Sequence, residues 1–227
     1  MEGDLVTLPV TVLVVAKAPE PGLAKTRLAA TVGNRVAAEI AAAALLDTLD
    51  AVAAAPVAAR VIALTGNLDN AAGAAEIREL LGAFTVVEQR GDDFADRLAN
   101  AHADAASAGY PVLQIGMDTP QVTAELLSVC ARRLLETPAV LGMAQDGGWW
   151  ILGVRDPADA QCLRGVPMSQ SDTGDLTRKA LQDNGLDVAL VQELADIDVI
   201  ADVAGVRQAC GHTSRFARAT AGVATSS

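Results

Sequence analysis

Four short stretches carry side chains whose types and spacing suit the binding of an anion together with its counter-ion. The first is Lys17-Ala-Pro-Glu-Pro-Gly-Leu-Ala-Lys-Thr-Arg27, where Lys17, Lys25 and Arg27 stand against Glu20 in a chain whose formal charge is −11. These cations suit phosphate oxygens. Pro19 stiffens the turn, and Gly22 lets backbone come close to a ligand. Amides at the start of a following helix would add partial positive charge. A solvated basic helix start fits the same letters. The Gly-rich spacing of a Walker loop is missing before Lys25-Thr26.

The other three stretches are acidic. Ile115-Gly-Met-Asp-Thr-Pro120 sets Asp118 directly after an apolar run, where a nucleotide-bound Mg²⁺ or Mn²⁺ needs an oxygen ligand. Gly116 removes bulk beside it. The alternative is that Asp118 or Thr119 caps the next helix. Gln145-Asp-Gly-Gly-Trp-Trp150 puts Asp146 ahead of Gly147, Gly148 and both tryptophans of the chain. In an extended segment Trp149 and Trp150 point to opposite faces, so one ring is expected buried and one at a pocket mouth. An ordinary Asp-Gly turn also accounts for these letters. In Asp196-Ile-Asp198 two carboxylates share a face. Either they complete a cation site with Asp118, or Asp198 caps the helix that follows.

Ser169-Gln-Ser-Asp-Thr173 reads as a helix cap or as a substrate-facing loop, and Arg97 as the partner of a neighbouring aspartate. His102 and His212 have no partner at catalytic spacing. Cys130, Cys162 and Cys210 are odd in number and far apart, which points to thiols in a reducing cytoplasm. The acidity argues against a nucleic-acid binder, since a polyphosphate backbone would be repelled over most of the surface. The apolar run Val10–Ala16 is too short to span a bilayer, and it follows Glu2 and Asp4 where a signal peptide has a basic region.

These loops need elements to hold them. Apolar runs at Val10–Ala16, Arg60–Leu64, Phe84–Glu88 and Pro111–Gly116 alternate with helical patterns, the first of which runs from about Ala24 to Ala54 with a break near Gly33. Strands alternating with helices of ten or more residues predict a mainly parallel sheet covered on both faces. The runs 139–143 and 149–154 lie too close for a helical crossover, so they predict an antiparallel excursion and a mixed sheet. A helix from about Val199 to Cys210 is the last recognisable element. Residues 1–211 are expected to form one domain, with 212–227 as an extension whose end is frayed. The loops at 17–27, 116–120 and 144–148 all follow strands, the edge at which ligands of such sheets bind.

Taken in order, Ala16-Lys-Ala-Pro-Glu-Pro-Gly22 with Lys25-Thr-Arg-Leu28, Ile115–Pro120, Asp146-Gly-Gly-Trp-Trp-Ile-Leu-Gly153 and Asp196-Ile-Asp198 resemble a bacterial GT-A-like glycosyltransferase family linked with arsenosugar biosynthesis. Lys25–Leu28 is also similar to phospholactate guanylyltransferases, which share the nucleotide-diphospho-sugar transferase fold. The resemblance implies that Lys17, Lys25 and Arg27 approach nucleotide phosphates and that Asp118, with Asp198 second, holds the divalent ion. Asp196 is the alternative second ligand. The expected enzyme is a metal-dependent glycosyltransferase. In it Lys25, Asp118 and Asp146 are catalytic, Pro19, Gly22 and Gly116 lie at the nucleotide, and Gly147, Gly148, Trp149 and Ser169 form the acceptor pocket. Its partners are a nucleotide sugar and a small-molecule acceptor. The alternative is a nucleotidyltransferase that releases pyrophosphate from a nucleoside triphosphate. A third class is a nucleotide-binding protein without turnover.

Overall fold

The computed structural model describes residues 6–223. Seven strands form one sheet: β1 (Leu8–Lys17), β2 (Val57–Thr65), β3 (Thr85–Glu88), β4 (Val112–Gly116), β5 (Ala139–Met143), β6 (Trp149–Val154) and β7 (Val188–Leu190). Their order is β3-β2-β1-β4-β6-β5-β7. Every pairing is parallel except those of β6, which runs antiparallel to both β4 and β5. The five residues between β5 and β6 leave room only for a turn, so the chain reverses and β6 inserts beside β4. As a result β6 begins at the edge where the parallel strands end.

β1 is buried along nearly its whole length because both faces of the sheet are covered. Val10, Val12, Val14 and Ala16 pack with α2 (Asn34–Ala54) and α5 (Ala124–Glu136). Leu13 and Val15 pack on the other face with α4 (Phe94–Ala105) and the 3-10 segment Pro157–Gly165. A run of small side chains, Ala41 to Ala44, is buried on α2, which lets that helix lie close to its neighbours. Gly33 takes φ 84° and separates α1 (Thr26–Val32) from α2, at the break the sequence suggests. The remaining helices are α3 (Ala74–Leu81), α6 (Thr173–Asp183), α7 (Ile200–Ala209) and α8 (Arg215–Ala219).

The C-terminal extension contains an element the sequence patterns leave unread. Phe216 of α8 is fully buried among Leu28, Ile40 and Val206. Asp47 of α2 accepts hydrogen bonds from the Arg215 and Phe216 amides, both at 2.9 Å, and from the Ser214 hydroxyl at 2.6 Å. Arg215 also pairs with Asp50 and, at 2.7 Å, with Glu76. Of the stretch Thr220–Ser227 expected to fray, Thr220 is fully buried and accepts a hydrogen bond from Arg207 at 2.7 Å, and 224–227 lie outside the described residues. Among the described residues no helix is long and apolar enough to cross a membrane, and the three cysteines are unpaired.

His102 lies on the inner face of α4, fully buried, with neither ring nitrogen hydrogen-bonded. Burial pushes its imidazole down from 6.5 to about 3. The unfolded chain therefore takes up a proton below pH 6.5 that the folded chain refuses. Stability is complete above that pH and drains away as pH falls toward the folded value. Between neutral pH and about pH 5, wild type should lose roughly 2 kcal/mol more than His102→Leu. Urea unfolding at both pH values checks this; equal losses would show that His102 is not the source.

Candidate functional site

The carboxyl edge of the sheet opens into a cleft of about 750 Å³. Its wall is built from widely separated segments: Lys17, Lys25 and Arg27; Gly116 and Asp118; Asp146, Gly148 and Trp149; Ser169; and Asp196 with Asp198. Most of the residues singled out from the sequence thus meet in one space. Pro19, Gly22 and Gly147 stand outside its lining and serve the loops behind it.

The first loop is fastened before it reaches the ligand space. Ala18 donates its amide to Thr65 O at 2.8 Å, and Ala72 donates to Pro19 O at 3.0 Å. Glu20 is buried, and its carboxylate accepts from the Asn67 amide at 2.8 Å. It therefore anchors the loop and does not neutralise the cations at the cleft. Lys17 donates its ammonium to Leu23 O at 3.1 Å, closing the turn. With the loop fixed at both ends, Lys25 is held in a left-handed conformation, φ 47° and ψ 53°, at the start of α1. Lys25 and Ser169 are the two non-glycine residues with positive φ among the described residues, and both line the cleft. Such strain persists where surrounding structure over-determines it, and it gathers at functional sites.

From that position the Lys25 ammonium reaches Asp118 Oδ2 at 2.8 Å and also donates to Ile197 O. Burial opposes its charge, but Asp118, by charge and hydrogen bond, with Asp196 and Asp198 beyond, outweighs it and holds the ammonium above its ordinary range. Arg27 pairs with Asp198. The caps that might have claimed these carboxylates are supplied by other residues. Thr123 caps α5 by accepting from the Leu126 amide at 3.1 Å. Asp202 reaches back to the amides of Asp198 and Val199, both at 2.8 Å, and closes the start of α7. Asp118 and Asp198 are thereby left to the cleft.

Asp146 has a local task as well, since its Oδ1 accepts from the Gly148 amide at 2.8 Å and forms the turn before β6. Trp150 is buried and donates its indole N–H to Gln192 O at 2.8 Å, and Trp149 is half-buried, the difference in burial the alternation predicts, although both residues contribute to the cleft lining. Gly147 sits at φ 89°, against the 168–171 loop. A Cβ there would lie 1.8 Å from Ser171 O. The Gly147 carbonyl accepts from the Gly174 amide at 2.8 Å, which ties the turn to the start of α6. Ser169 does not cap α6; Asp172 takes the N-cap position.

Burial raises Asp196 to about 6, and the neighbouring carboxylates of Asp146 and Asp118 push in the same direction, against Lys25. Four carboxylates thus face two cations at this end of the cleft. Among the described residues no cluster of three or more acidic, His or Cys side chains is assembled to hold a metal alone. In kind the residues fit a divalent ion: oxygen donors whose mutual repulsion a cation would relieve, with phosphate oxygens to complete the shell.

Arg97, Gln89 and Gln114 are polar lining residues that the sequence patterns do not assign to the site. Arg97 has no acidic partner among the described residues, and its guanidinium Nε donates to Gly91 O at 3.3 Å. The local ion pair expected for it is not formed. Gln89 donates Nε2 to Ala16 O at 2.7 Å and Ala63 O at 2.9 Å, bridging the ends of β1 and β2. Gln114 lies in β4 itself, and a lone amide in a Val-Leu-Gln-Ile-Gly strand was the signal that could have found it.

A family model for uncharacterized proteins conserved in bacteria, DUF2064, matches residues 48–170, more than half of the chain. The chain belongs to that family. The matched part of this DUF2064 protein includes Asp118 and Asp146, and the Lys25 loop and Asp198 lie beyond it. No curated protein matches the chain. Among solved structures, a candidate nucleotide-diphospho-sugar transferase of Desulfovibrio desulfuricans G20 aligns with TM-score 0.80 at 24% identity, over 94% of this chain and 95% of its own. CMP:2-keto-3-deoxy-manno-octonic acid synthetase in complex with CTP aligns with TM-score 0.55 at 12% identity, over 88% and 97%. Rv0371c of Mycobacterium tuberculosis H37Rv in complex with manganese aligns with TM-score 0.53 at 18% identity, over 95% and 100%. At these identities the likeness is one of fold, and the DUF2064 chain has the nucleotide-diphospho-sugar transferase fold.

Gly147→Ala tests the joint between the β5–β6 turn and the 168–171 loop. It should lower stability by at least about 2 kcal/mol in urea unfolding. A variant as stable as wild type would show that the loop yields without cost.

Proposed function

We propose that the protein is a metal-dependent glycosyltransferase that takes a nucleotide sugar as donor and a small molecule as acceptor, acting in the cytoplasm, where its thiols stay reduced. The observation that carries this reading is the convergence of Lys25, Asp118, Asp198, Asp146 and Trp149 on one cleft at the carboxyl edge of the sheet. Ligand chemistry belongs at that edge in open α/β sheets.

Lys25 and Arg27 bind the donor diphosphate and stabilise the charge that develops on the departing nucleoside diphosphate. Asp118 and Asp198 hold Mg²⁺ or Mn²⁺, which when bound neutralises the diphosphate as a Lewis acid. The strained backbone at Lys25 keeps its ammonium aimed at the phosphates, so little reorganisation is needed at the moment of transfer. Asp146, with one carboxylate oxygen fixed by the Gly148 amide, presents the other to the acceptor hydroxyl and takes its proton. Gly148, Trp149 and Ser169 shape the acceptor side. Trp149 offers a flat apolar wall whose indole N–H is already bonded to Thr177 at 3.2 Å.

Nucleotidyl transfer is the second reading, and the paired cations beside Asp118 favour it. An in-line displacement at an α-phosphate uses the same groups, with pyrophosphate leaving. A relative of this fold is known in complex with CTP.

The two readings separate in one assay. Incubation with Mn²⁺ or Mg²⁺ should release nucleoside diphosphate from a sugar nucleotide, with no pyrophosphate from triphosphates. Pyrophosphate release alone would select nucleotidyl transfer. Asp118→Ala should cut turnover by at least about a hundredfold while the protein stays folded. Undiminished turnover in the folded variant would remove Asp118 from the site.

A further inference from the structure

Gln114 occupies a position where packing alone would favour a hydrocarbon. It is the one polar side chain of β4, 1% exposed, and lies in register with Leu13 of β1 and Leu152 of β6. Its Oε1 has no hydrogen-bond partner, yet the residue forms part of the cleft wall. An unpaired buried amide destabilises the protein that carries it. The same face of the sheet also holds Thr11 and faces His102, whose buried polar atoms are unpaired too, so the neighbourhood gives the amide no clear partner of its own.

The strand order fixes which cleft residues stand around this amide. Across the carboxyl edge the cleft passes Gln89 and Thr65 beside β3 and β2, then Lys25 and Asp118 over β1 and β4, then Trp149 at the start of β6. Gln114 faces the cleft from β4, four residues before Asp118 on the same strand and its loop, and beside β6, which begins at Trp149. On a donor whose diphosphate is held at Lys25 and whose acceptor lies at Trp149, as proposed above, the group beyond the diphosphate would come next to it.

We propose that Gln114 determines donor specificity by hydrogen bonding a hydroxyl of the sugar attached to the nucleotide. A hydroxyl suits the amide because it both donates to Oε1 and accepts from Nε2. Binding then satisfies a group that folding leaves unpaired, and a donor lacking that hydroxyl is rejected because the amide stays unpaired in the complex. The inference rests on the glycosyl-transfer reading and names the part of the donor that is read.

Gln114→Met keeps the side chain unbranched and near its original length while removing the amide. Its ligand-free form should melt about 2–4 °C higher than wild type. Calorimetry with Mn²⁺ and UDP-glucose, GDP-mannose and dTDP-glucose, beside UDP, GDP and dTDP, then separates the roles. For whichever sugar nucleotide binds wild type, the variant should bind about tenfold more weakly and its bare diphosphate equally well. Equal weakening of sugar nucleotide and bare diphosphate would overturn the proposal by moving Gln114 to the nucleotide. So would an unchanged affinity ratio in a destabilised variant. If neither Gln114→Met nor Gln114→Leu folds, the amide is a core element and the proposal also fails. Wild type that binds triphosphates but no sugar nucleotide would overturn the glycosyl reading itself, a result distinct from each of the others.

Discussion

One ammonium group joins three distant parts of the chain. Lys25 of the first loop meets the Asp118 carboxylate after β4 and the Ile197 carbonyl before α7. Those residues are 93 and 172 positions away in sequence, and the side chain of Lys25 is 14% exposed. A buried cation with a carboxylate and a carbonyl around it is stable only while all three stay together, because loss of either partner leaves charge uncompensated. The left-handed backbone at Lys25 is tolerated on the same terms: the fixed loop behind it and the acidic pocket ahead leave no relaxed alternative. The contact is therefore both the joint of the cleft and its strained point.

The carboxylates around that ammonium are available because the helices are capped by other groups. Asp118 lies five residues before Thr123, which caps α5, and Asp198 lies four before Asp202, whose carboxylate closes the start of α7. In each case a separate oxygen satisfies the helix amides, so the loop carboxylate faces the cleft. Burial, with the Asp146 and Asp118 carboxylates acting in the same direction, pushes Asp196 toward the protonated form. Capping does not account for Asp118 and Asp198, since Thr123 and Asp202 already serve the helices that follow them.

Sequence patterning disclosed most of the frame and about half of the cleft, and the division has a physical cause. β5 and β6 were read at their observed limits because apolar runs bounded by a Gly-Gly turn leave little choice, and their closeness in sequence already implied the antiparallel β6. Asp118, Asp146 and Asp198 were legible because they follow or precede elements, where a charged residue stands out. Gln114, Arg97 and Gln89 were not. Whether a residue inside a strand or helix faces the cleft depends on which side is covered, and that is decided by packing of α4 against β1 and β4. Arg97 illustrates the point: aspartates surround it in sequence, yet helical geometry turns it away from them and toward the cleft. The helix α8 escaped notice because five residues carry no period, and its anchor, Asp47, lies far back in α2.

Several of the costs in this molecule lie along one edge. The two left-handed non-glycine residues, the crowded carboxylates and the unpaired Gln114 all line the carboxyl end of the sheet. Away from that edge the packing is mostly apolar: Val, Leu and Ala bury both faces of β1, α2 packs through alanines, and Arg215 with Phe216 ties α8 to α2, while Thr11 and His102 keep buried polar atoms unpaired. A domain is stable by a small difference between large terms, so strain at one edge persists only if the remainder is consistent at every level. Ligand binding acts on that same difference. Under the proposed function, a metal-bound diphosphate beside the Lys25–Asp118 pair would relieve the carboxylate repulsion, and a hydroxyl at Gln114 would satisfy the amide. Strain relieved only on binding is the form in which binding energy can be directed to chemistry.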